Sequence, residues 1–222
     1  GFDWTFERER YAEISAHWDQ VLEEKPETFD GRVFLTCGWS VENEAGKRIL
    51  RSQHFETGYS AFLAWHDFGR PGTNISNSFA AAAVRGSDGG FLVGEMGAQT
   101  THAGKWYFAC GTPDKSDEVN GKLDFHTSVF RELAEETGLA PPLVSAGKSW
   151  TVINTGSLLA CLLDVESSVP VGELGERAQQ FLSSESNPEL ADVHCVTSLA
   201  DVQADVMPEY MQIFFARQFG TP

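Results

Sequence analysis

The 222-residue sequence predicts a large domain of the α/β or α+β class that carries a substantial N-terminal extension. Apolar runs typical of strands are interleaved with amphipathic runs typical of helices along the whole chain. A segment rich in Gly, Pro, Asn and Ser at 69–78 reads as a linker. We therefore predict an extension at 1–76 and a main unit at 77–222.

The N-terminal extension is predicted to be a helix, a β-hairpin and a second helix. Residues 6–24 repeat apolar side chains at helical spacing. The runs 31–41 and 47–55 alternate in the manner of strands and flank a short polar turn, which is typical of a hairpin. Residues 57–68 indicate a short helix.

The first part of the main unit is predicted to contain strands and one helix. The runs 79–86 and 90–96 flank a Gly-Ser-Asp-Gly turn and predict a second hairpin. Residues 105–111 indicate another strand, and the polar residues 112–122 indicate a loop. A helix is predicted over 125–137.

That helix has clear end signals, and further elements follow it. Asp124 is a residue type that caps helix N-termini, and Gly138 can adopt the left-handed conformation that ends a helix. Beyond it we predict one or two apolar strands within 150–165, a helix at 172–184, a strand at 191–198 and a closing helix at 208–219.

Bulk composition restricts the partners of the protein. The formal net charge is −16, so nucleic acid and anionic membranes are not expected partners. No apolar run approaches the ~20 residues that span a bilayer, and the first residues lack the order of a signal peptide. Four widely spaced cysteines are expected to be free, buried thiols of a cytoplasmic protein. These are Cys37, Cys110, Cys161 and Cys195.

Three acids crowd one face of the helix predicted at 125–137. Glu132, Glu135 and Glu136 stand at offsets of three and four residues, where neighbouring side chains meet. Carboxylates that close repel one another unless a cation lies among them, and hard divalent ions prefer oxygen ligands. The stretch is therefore either a solvated acidic face or a metal site.

The stretch RELAEETGL at 131–139 decides between these alternatives. It closely resembles the second half of the Nudix box, G-x5-E-x7-R-E-U-x-E-E-x-G-U, where U is a bulky aliphatic residue. The resemblance implies a mixed β-sheet between helices and Mg²⁺ or Mn²⁺ as the cofactor. It also implies hydrolysis of a nucleoside diphosphate linked to another moiety, such as a nucleotide sugar, by attack of water on phosphorus.

Roles for individual residues follow from the same resemblance. Glu135 and Glu136 match metal ligands, and Glu132 matches a position that is a ligand or a general base. Arg131 matches the residue that orients these carboxylates. Some members add a catalytic glutamate from a late loop, and Glu189 lies in a suitable place for that role.

The first half of the box departs from the signature. Gly111 would be the box glycine, and the carbonyl of Cys110 would replace one that ligates metal. Counting back eight residues from Arg131 reaches Leu123, where the family has Glu. Two acids could replace the glutamate that is missing at Leu123, namely Glu118 and Asp124, and Asp124 is alternatively only a helix cap.

An anionic substrate also requires donors. Arg85, Lys105 and Trp106 are the candidate substrate-binding residues, because the two cations and the aromatic ring occur in or beside predicted strands of the main unit.

Three functions remain open at the level of sequence. They are a metal-dependent pyrophosphohydrolase, a non-catalytic binding or regulatory module on a Nudix fold, and a structural or interaction protein whose acidic helix is incidental. The extension at 1–76 is expected either to shape the substrate pocket or to form a homodimer interface. The sequence does not specify the base, the leaving group or the preferred metal.

Overall fold

A computed structural model describes residues 2–72 and 74–220. The segment predicted as a linker, 69–78, includes residue 73, which lies outside the described residues. The predicted α+β class is confirmed, because helices and strands alternate along the described chain.

The N-terminal extension contains the predicted hairpin and helices. The long helix predicted at 6–24 is interrupted at Arg10, whose backbone angles of φ −111° and ψ 23° are not helical. Its elements are α1 (Thr5–Glu9), α2 (Tyr11–Glu24), β1 (Arg32–Glu44), β2 (Lys47–Gly58) and α3 (Tyr59–Asp67).

The main unit follows the predicted order of strands and helices with two refinements. The strand predicted at 105–111 is two short strands, and the polar loop contains a 3-10 turn at Lys115–Asp117 and a small hairpin. Its elements are β3 (Asn77–Arg85), β4 (Phe91–Met96), β5 (Trp106–Tyr107), β6 (Cys110–Gly111), β7 (Glu118–Val119), β8 (Lys122–Leu123), α4 (Phe125–Thr137), β9 (Val144–Asn154), β10 (Leu158–Ser167), α5 (Val171–Ser184), β11 (Leu190–Val196) and α6 (Glu209–Phe219).

The central sheet is mixed, with the strand order β11-β4-β3-β10-β9. β3 and β10 are parallel, whereas the other neighbours in this order are antiparallel. The hairpin of β3 and β4 pairs only at Arg85 and Phe91, beside its turn. Farther along, β5 pairs with β4 and β6 pairs with β3. The hairpin strands therefore diverge, and residues 106–111 occupy the space between them.

The two faces of this sheet carry separate cores, which confirms the predicted sheet between helices. Alternate residues of β3 point to opposite faces, as the period of a strand requires. Ala80, Ala82 and Val84 belong to the core under α4 and α5, while Phe79, Ala81 and Ala83 belong to the core under α6.

The extension has its own core and is hydrogen-bonded to the main unit. Its core includes Trp4, Ile14 and the fully buried Trp65. A backbone hydrogen bond of β1 joins Phe34 N–H to the carbonyl of Pro113 in the main unit at 2.8 Å, and two bonds of 2.9 Å link Thr36 with Ser76, the last residue of the extension. Since residue 113 precedes the 3-10 turn, the extension supports the loop that leads to α4.

Two further sequence expectations can be compared with the fold. All four cysteines are free, as predicted, but Cys161 alone is fully buried and Cys195 is exposed. The expectation of four buried thiols was therefore wrong in part, because β11 turns Cys195 partly to solvent. Among residues 2–72 and 74–220, no helix is both long and apolar enough to cross a membrane.

Candidate active site

The acidic face lies on α4, whose ends match the sequence signals. The Asp124 carboxylate accepts hydrogen bonds from Thr127 N–H at 3.1 Å and from the Thr127 hydroxyl at 2.8 Å, which caps the helix. Gly138 ends it with φ 70°, a left-handed conformation that favours glycine. Both predictions for this helix are confirmed.

Two of the three glutamates of α4 face the short strand β6. Glu136 is 5% exposed, and its carboxylate accepts a hydrogen bond of 2.9 Å from Cys110 N–H. The Glu132 carboxylate lies directly against the Cα of Gly111, where a Cβ would overlap it. Glycine at position 111 therefore allows the carboxylate to approach the backbone of β6.

The third glutamate points outward and shares its cation with two other acids. The Glu135 side chain is 60% exposed. Arg131 contacts Glu135 at 3.1 Å, Glu132 at 3.0 Å and Asp117 at 2.9 Å. Because one guanidinium joins three carboxylates, it holds the two glutamates on α4 in a fixed relation to the preceding loop.

Asp117 is the acid that sequence reasoning missed. Its side chain is 3% exposed and also accepts a hydrogen bond from Asp114 N–H at 3.1 Å. The two candidates proposed for the missing acid lie elsewhere: Glu118 pairs with Lys115, and Asp124 caps α4. Neither of them contacts the guanidinium of Arg131 among the ion pairs of the described residues.

A signal for Asp117 was present in the sequence. Counting forward from Gly111 through five residues reaches Asp117, the position that the box signature assigns to its first glutamate. The additional residues lie after this acid, where β7 and β8 form a two-stranded hairpin. Counting backward from Arg131 crosses that insertion and ends at Leu123 instead.

Burial raises the pKa values of the carboxylates on this face. Burial raises the pKa of Glu132 to about 7 even though Arg131 lowers it, and Glu135 and Glu189 raise it further. The pKa of Glu136 lies well above its ordinary value because of burial and because of the charge of Glu189, although the hydrogen bond from Cys110 opposes this. Desolvation and Glu135 also raise the pKa of Glu189. Arg131 therefore does not supply enough positive charge to offset the burial and mutual repulsion of these three acids.

Arg131 is the cation at the centre of the group. Burial by itself would lower its pKa, but the hydrogen bond to Asp117 and the charges of Glu132, Asp117 and Glu135 more than offset this effect, so its pKa is raised. The guanidinium is permanently charged. It makes no ion pair with Glu136 among the described residues, so it does not offset the desolvation of that buried carboxylate.

The carboxylates of this face suit a hard divalent cation, but their oxygens do not surround a common point as the ligands of a bound ion do. Carboxylates are among the oxygen ligands that Mg²⁺ and Mn²⁺ prefer. In the described part of the chain, no three His, Cys, Asp or Glu side chains converge closely enough to hold one ion. Glu132 is held by Arg131 and Glu136 by Cys110, so binding requires rotation of these side chains.

A cavity of 500 Å³ opens beside the buried glutamate. Glu136, Glu189, Cys110 and Gly111 lie along its wall, so the structure brings Glu189 to the acids of α4 as expected. Residues of the extension also line it, namely Tyr59, Phe62, His66 and Arg70. The other lining side chains include Asn77, Phe79, His102, Tyr107, Phe108 and Tyr210.

The three candidate substrate-binding residues do not line this cavity. Arg85 is exposed at the end of β3 opposite to Asn77, and its guanidinium lies over the ring of Phe91 at 5.8 Å. Lys105 donates a hydrogen bond of 2.7 Å to the carbonyl of Asp205.

Trp106 is engaged elsewhere. Its ring stacks on His194 with centroids 3.8 Å apart. The structure thus places all three candidates, Arg85, Lys105 and Trp106, away from the acids. Alternate residues of a strand point to opposite faces of the sheet, and the two ends of a strand lie far apart. Tyr107, one residue along from Trp106, points into the cavity instead.

Comparisons with known proteins give a distant similarity of fold. No protein-family model matches the chain, and no curated protein matches it in sequence. Among solved structures, the chain is similar to a Nudix hydrolase from M. smegmatis, RenU, with 16% identity and a TM-score of 0.45 over 81% of this chain and 91% of that one. It is also similar to the MutT protein from Methanosarcina mazei Go1, with 19% identity and a TM-score of 0.42 over 64% and 92% of the two chains. A C. elegans Ap4A hydrolase gives 12% identity and a TM-score of 0.42 over 63% and 93%.

Proposed function

We propose that the protein hydrolyses the pyrophosphate of a nucleoside diphosphate linked to another moiety. The observation that carries this proposal is that Glu136 and Glu189 line one cavity together with the β6 backbone, against which the Glu132 carboxylate also lies. The acids are mutually repulsive and short of positive charge, which is the state expected of a site that receives a cation with its substrate.

A divalent cation, Mg²⁺ or Mn²⁺, is part of the proposal. Glu132, Glu135 and Glu136 would hold it, with the Cys110 carbonyl as the backbone ligand that the Nudix resemblance implies. When bound, the cation would offset the charge of the pyrophosphate and polarise its oxygens.

The residues of the chain divide the remaining tasks. Arg131 orients Glu132 and Glu135, and its own position is fixed by Asp117. Glu132 matches a Nudix-box position that is a metal ligand or a general base, and as a base it would accept a proton from the attacking water. Glu189 is the alternative base, since it lines the cavity beside Glu136 from the loop before β11.

The cavity supports a nucleotide-sized substrate. Its volume of 500 Å³ lies within the usual range of roughly 300–1,000 Å³ for small-molecule sites. Aromatic side chains line it from four parts of the chain, and such rings stack well on planar groups. We propose that the extension shapes this pocket, since Tyr59, Phe62, His66 and Arg70 belong to its wall; dimerisation through the extension stays a prediction.

The experiment is a panel of nucleoside diphosphate derivatives incubated with Mg²⁺ or with Mn²⁺, with products separated by chromatography. We expect phosphate-ester products from at least one derivative, and at least 100-fold lower turnover for Glu136→Gln, in the range typical of a lost group in the reaction centre. Glu176→Gln, an exposed acid on α5, is the control.

Two results would count against the proposal. Unchanged turnover in Glu136→Gln would show that the acidic face is not the reaction centre. Tight nucleotide binding by the native protein without product, after long incubation with either metal, would favour the non-catalytic binding module.

A further inference from the structure

The wall of the cavity contains two buried polar atoms that have no hydrogen-bond partner in the described residues. They are the hydroxyl of Tyr210, a residue only 1% exposed, and the side-chain oxygen of Asn77. An unpaired polar group in the interior costs about 1–3 kcal/mol. Because both residues line the same cavity, a ligand that enters it can supply the missing partners.

A cation lies beside these atoms. The Arg70 guanidinium donates a hydrogen bond of 3.3 Å to the hydroxyl of Ser157, and the Ser157 carbonyl accepts the N–H of Asn77 at 2.8 Å. Arg70 is a non-glycine residue with φ 57°, and its N–H is bonded to the carbonyl of Trp65 at 2.8 Å. A left-handed backbone is strained for a residue other than glycine, and the Arg70 side chain lines the cavity.

Two imidazoles join this cation. The rings of His66 and His102 lie 6.2 Å apart, and both residues line the cavity. Desolvation lowers the pKa of His102, and the charges of His66 and Arg70 lower it further while Asp67 opposes them, so Arg70 lies close to this ring. Arg70 is the one Lys or Arg among the cavity-lining residues that the structure describes.

The cavity is therefore polarised. Its acidic side carries Glu136 and Glu189, while the extension contributes Arg70 and His66, the latter hydrogen-bonded to Asp67, and the main unit adds His102 beside them. In a chain with a net charge of −16, a cationic surface on a cavity wall is a selective place for an anion.

The pyrophosphate and its metal ions belong with the carboxylates under the function proposed above, so the anion at Arg70 is a different group. A phosphomonoester fits best, since it offers nearly two charges to the guanidinium and three free oxygens that can also accept hydrogen bonds from neighbouring imidazole N–H groups.

We propose that Arg70 binds a phosphomonoester that the substrate carries in addition to its pyrophosphate, while Tyr210 and Asn77 bind polar atoms of the connecting part. This inference rests on the proposed function for the position of the pyrophosphate. It makes the extension the source of substrate selectivity through Arg70.

The test is equilibrium binding by calorimetry in EDTA, which needs neither metal nor turnover. The probes are two matched pairs, NADP and NAD, and coenzyme A and its 3′-dephospho form, whose members differ by one phosphomonoester. We expect at least 10-fold tighter binding of the phosphorylated member of at least one pair, and a ratio near one in Arg70→Gln. The Kd of the other member is expected to stay unchanged, and Arg70→Lys to retain part of the preference.

Two further variants separate binding from folding. Arg48→Gln removes an exposed cation of the β1–β2 hairpin and is expected to keep the full preference. Tyr210→Phe is expected to weaken binding of both members of a pair without lowering the Tm of the free protein, because the lost hydroxyl has no partner there.

Equal affinity for the two members of both pairs, no binding of either, or equal weakening of both members by Arg70→Gln would overturn the inference. Hydrolysis tests the proposed function separately. Phosphate selectivity without turnover would refute the hydrolase and leave the Arg70 site standing, whereas turnover without selectivity would do the reverse.

Discussion

Replacing Asp117 by Asn tests the most consequential assignment of the site, the buried acid that fixes Arg131. The carboxylate accepts hydrogen bonds from the guanidinium at 2.9 Å and from Asp114 N–H at 3.1 Å. Asparagine keeps the shape of the side chain but removes its charge. It can accept one of these two hydrogen bonds through its oxygen and presents an NH₂ group to the other donor.

The expected loss of stability can be worked from these contacts. Breaking a fully buried ion pair costs about 3–5 kcal/mol. The Arg131 side chain is 33% exposed and keeps Glu132 and Glu135 as partners, so the loss is expected to be smaller than this range. We expect about 2 kcal/mol, which corresponds to a Tm lower by about 4–8 °C for a chain of this size.

The assay is urea unfolding of Asp117→Asn together with two matched controls. Glu118→Gln removes the neighbouring acid, whose partner Lys115 is exposed, and Asp124→Asn keeps a residue type that caps helices equally well. Both controls should leave the urea midpoint essentially unchanged, with the same m value in all three proteins. A control that lowers the midpoint as much as Asp117→Asn does would refute the assignment of Asp117.

Two further predictions concern stability. Gly138→Ala should lower the free energy of unfolding, measured by thermal unfolding, by about 2 kcal/mol or more. The reason is that φ is 70° and the new Cβ would lie 2.6 Å from the ring of Phe181. Gly172→Ala is the control and should not lower this free energy, because its Cβ would have nothing within 4 Å. Burial lowers the pKa of His54 to about 4, so the folded state binds fewer protons than the unfolded state, and stability present above pH ~6.5 is lost as the pH falls toward 4. His54→Gln should remove roughly 1–3 kcal/mol of this loss in urea titrations at several pH values, and an unchanged pH dependence would contradict the assignment.

Local signals in the sequence were sufficient for the helix that carries the acids. The predicted range 125–137, the Asp124 cap and the Gly138 end all agree with α4. Capping and the left-handed C-terminal glycine depend on residues adjacent in sequence, so they can be read without knowledge of the fold.

The spacing of the Nudix signature does not locate every acid of the site, because this chain has an insertion within the signature. Asp117 was missed because the small hairpin of β7 and β8 separates it from Arg131 by more residues than the signature allows. Only the folded loop shows that the guanidinium reaches back across this insertion to the buried carboxylate.

The substrate wall could not be read from the sequence for a different reason. The sequence favours three substrate-binding candidates in or beside strands near the box, namely Arg85, Lys105 and Trp106. None of them lines the cavity. Arg70 lies in a Gly- and Pro-rich segment that reads as a linker, and no local pattern marks it.

By itself, the sequence determined the α+β class, the position of most elements and the face of α4 on which Glu132 and Glu136 lie, since all of these depend on periodicity and neighbouring residues. Tertiary structure decided which side chains share the cavity. The divergence of β3 and β4 admits the 106–111 segment, and the docking of α3 brings Arg70 to the side opposite the acids. Contacts between residues distant in sequence depend on how packed elements meet, and the residue pattern within each element does not encode that geometry.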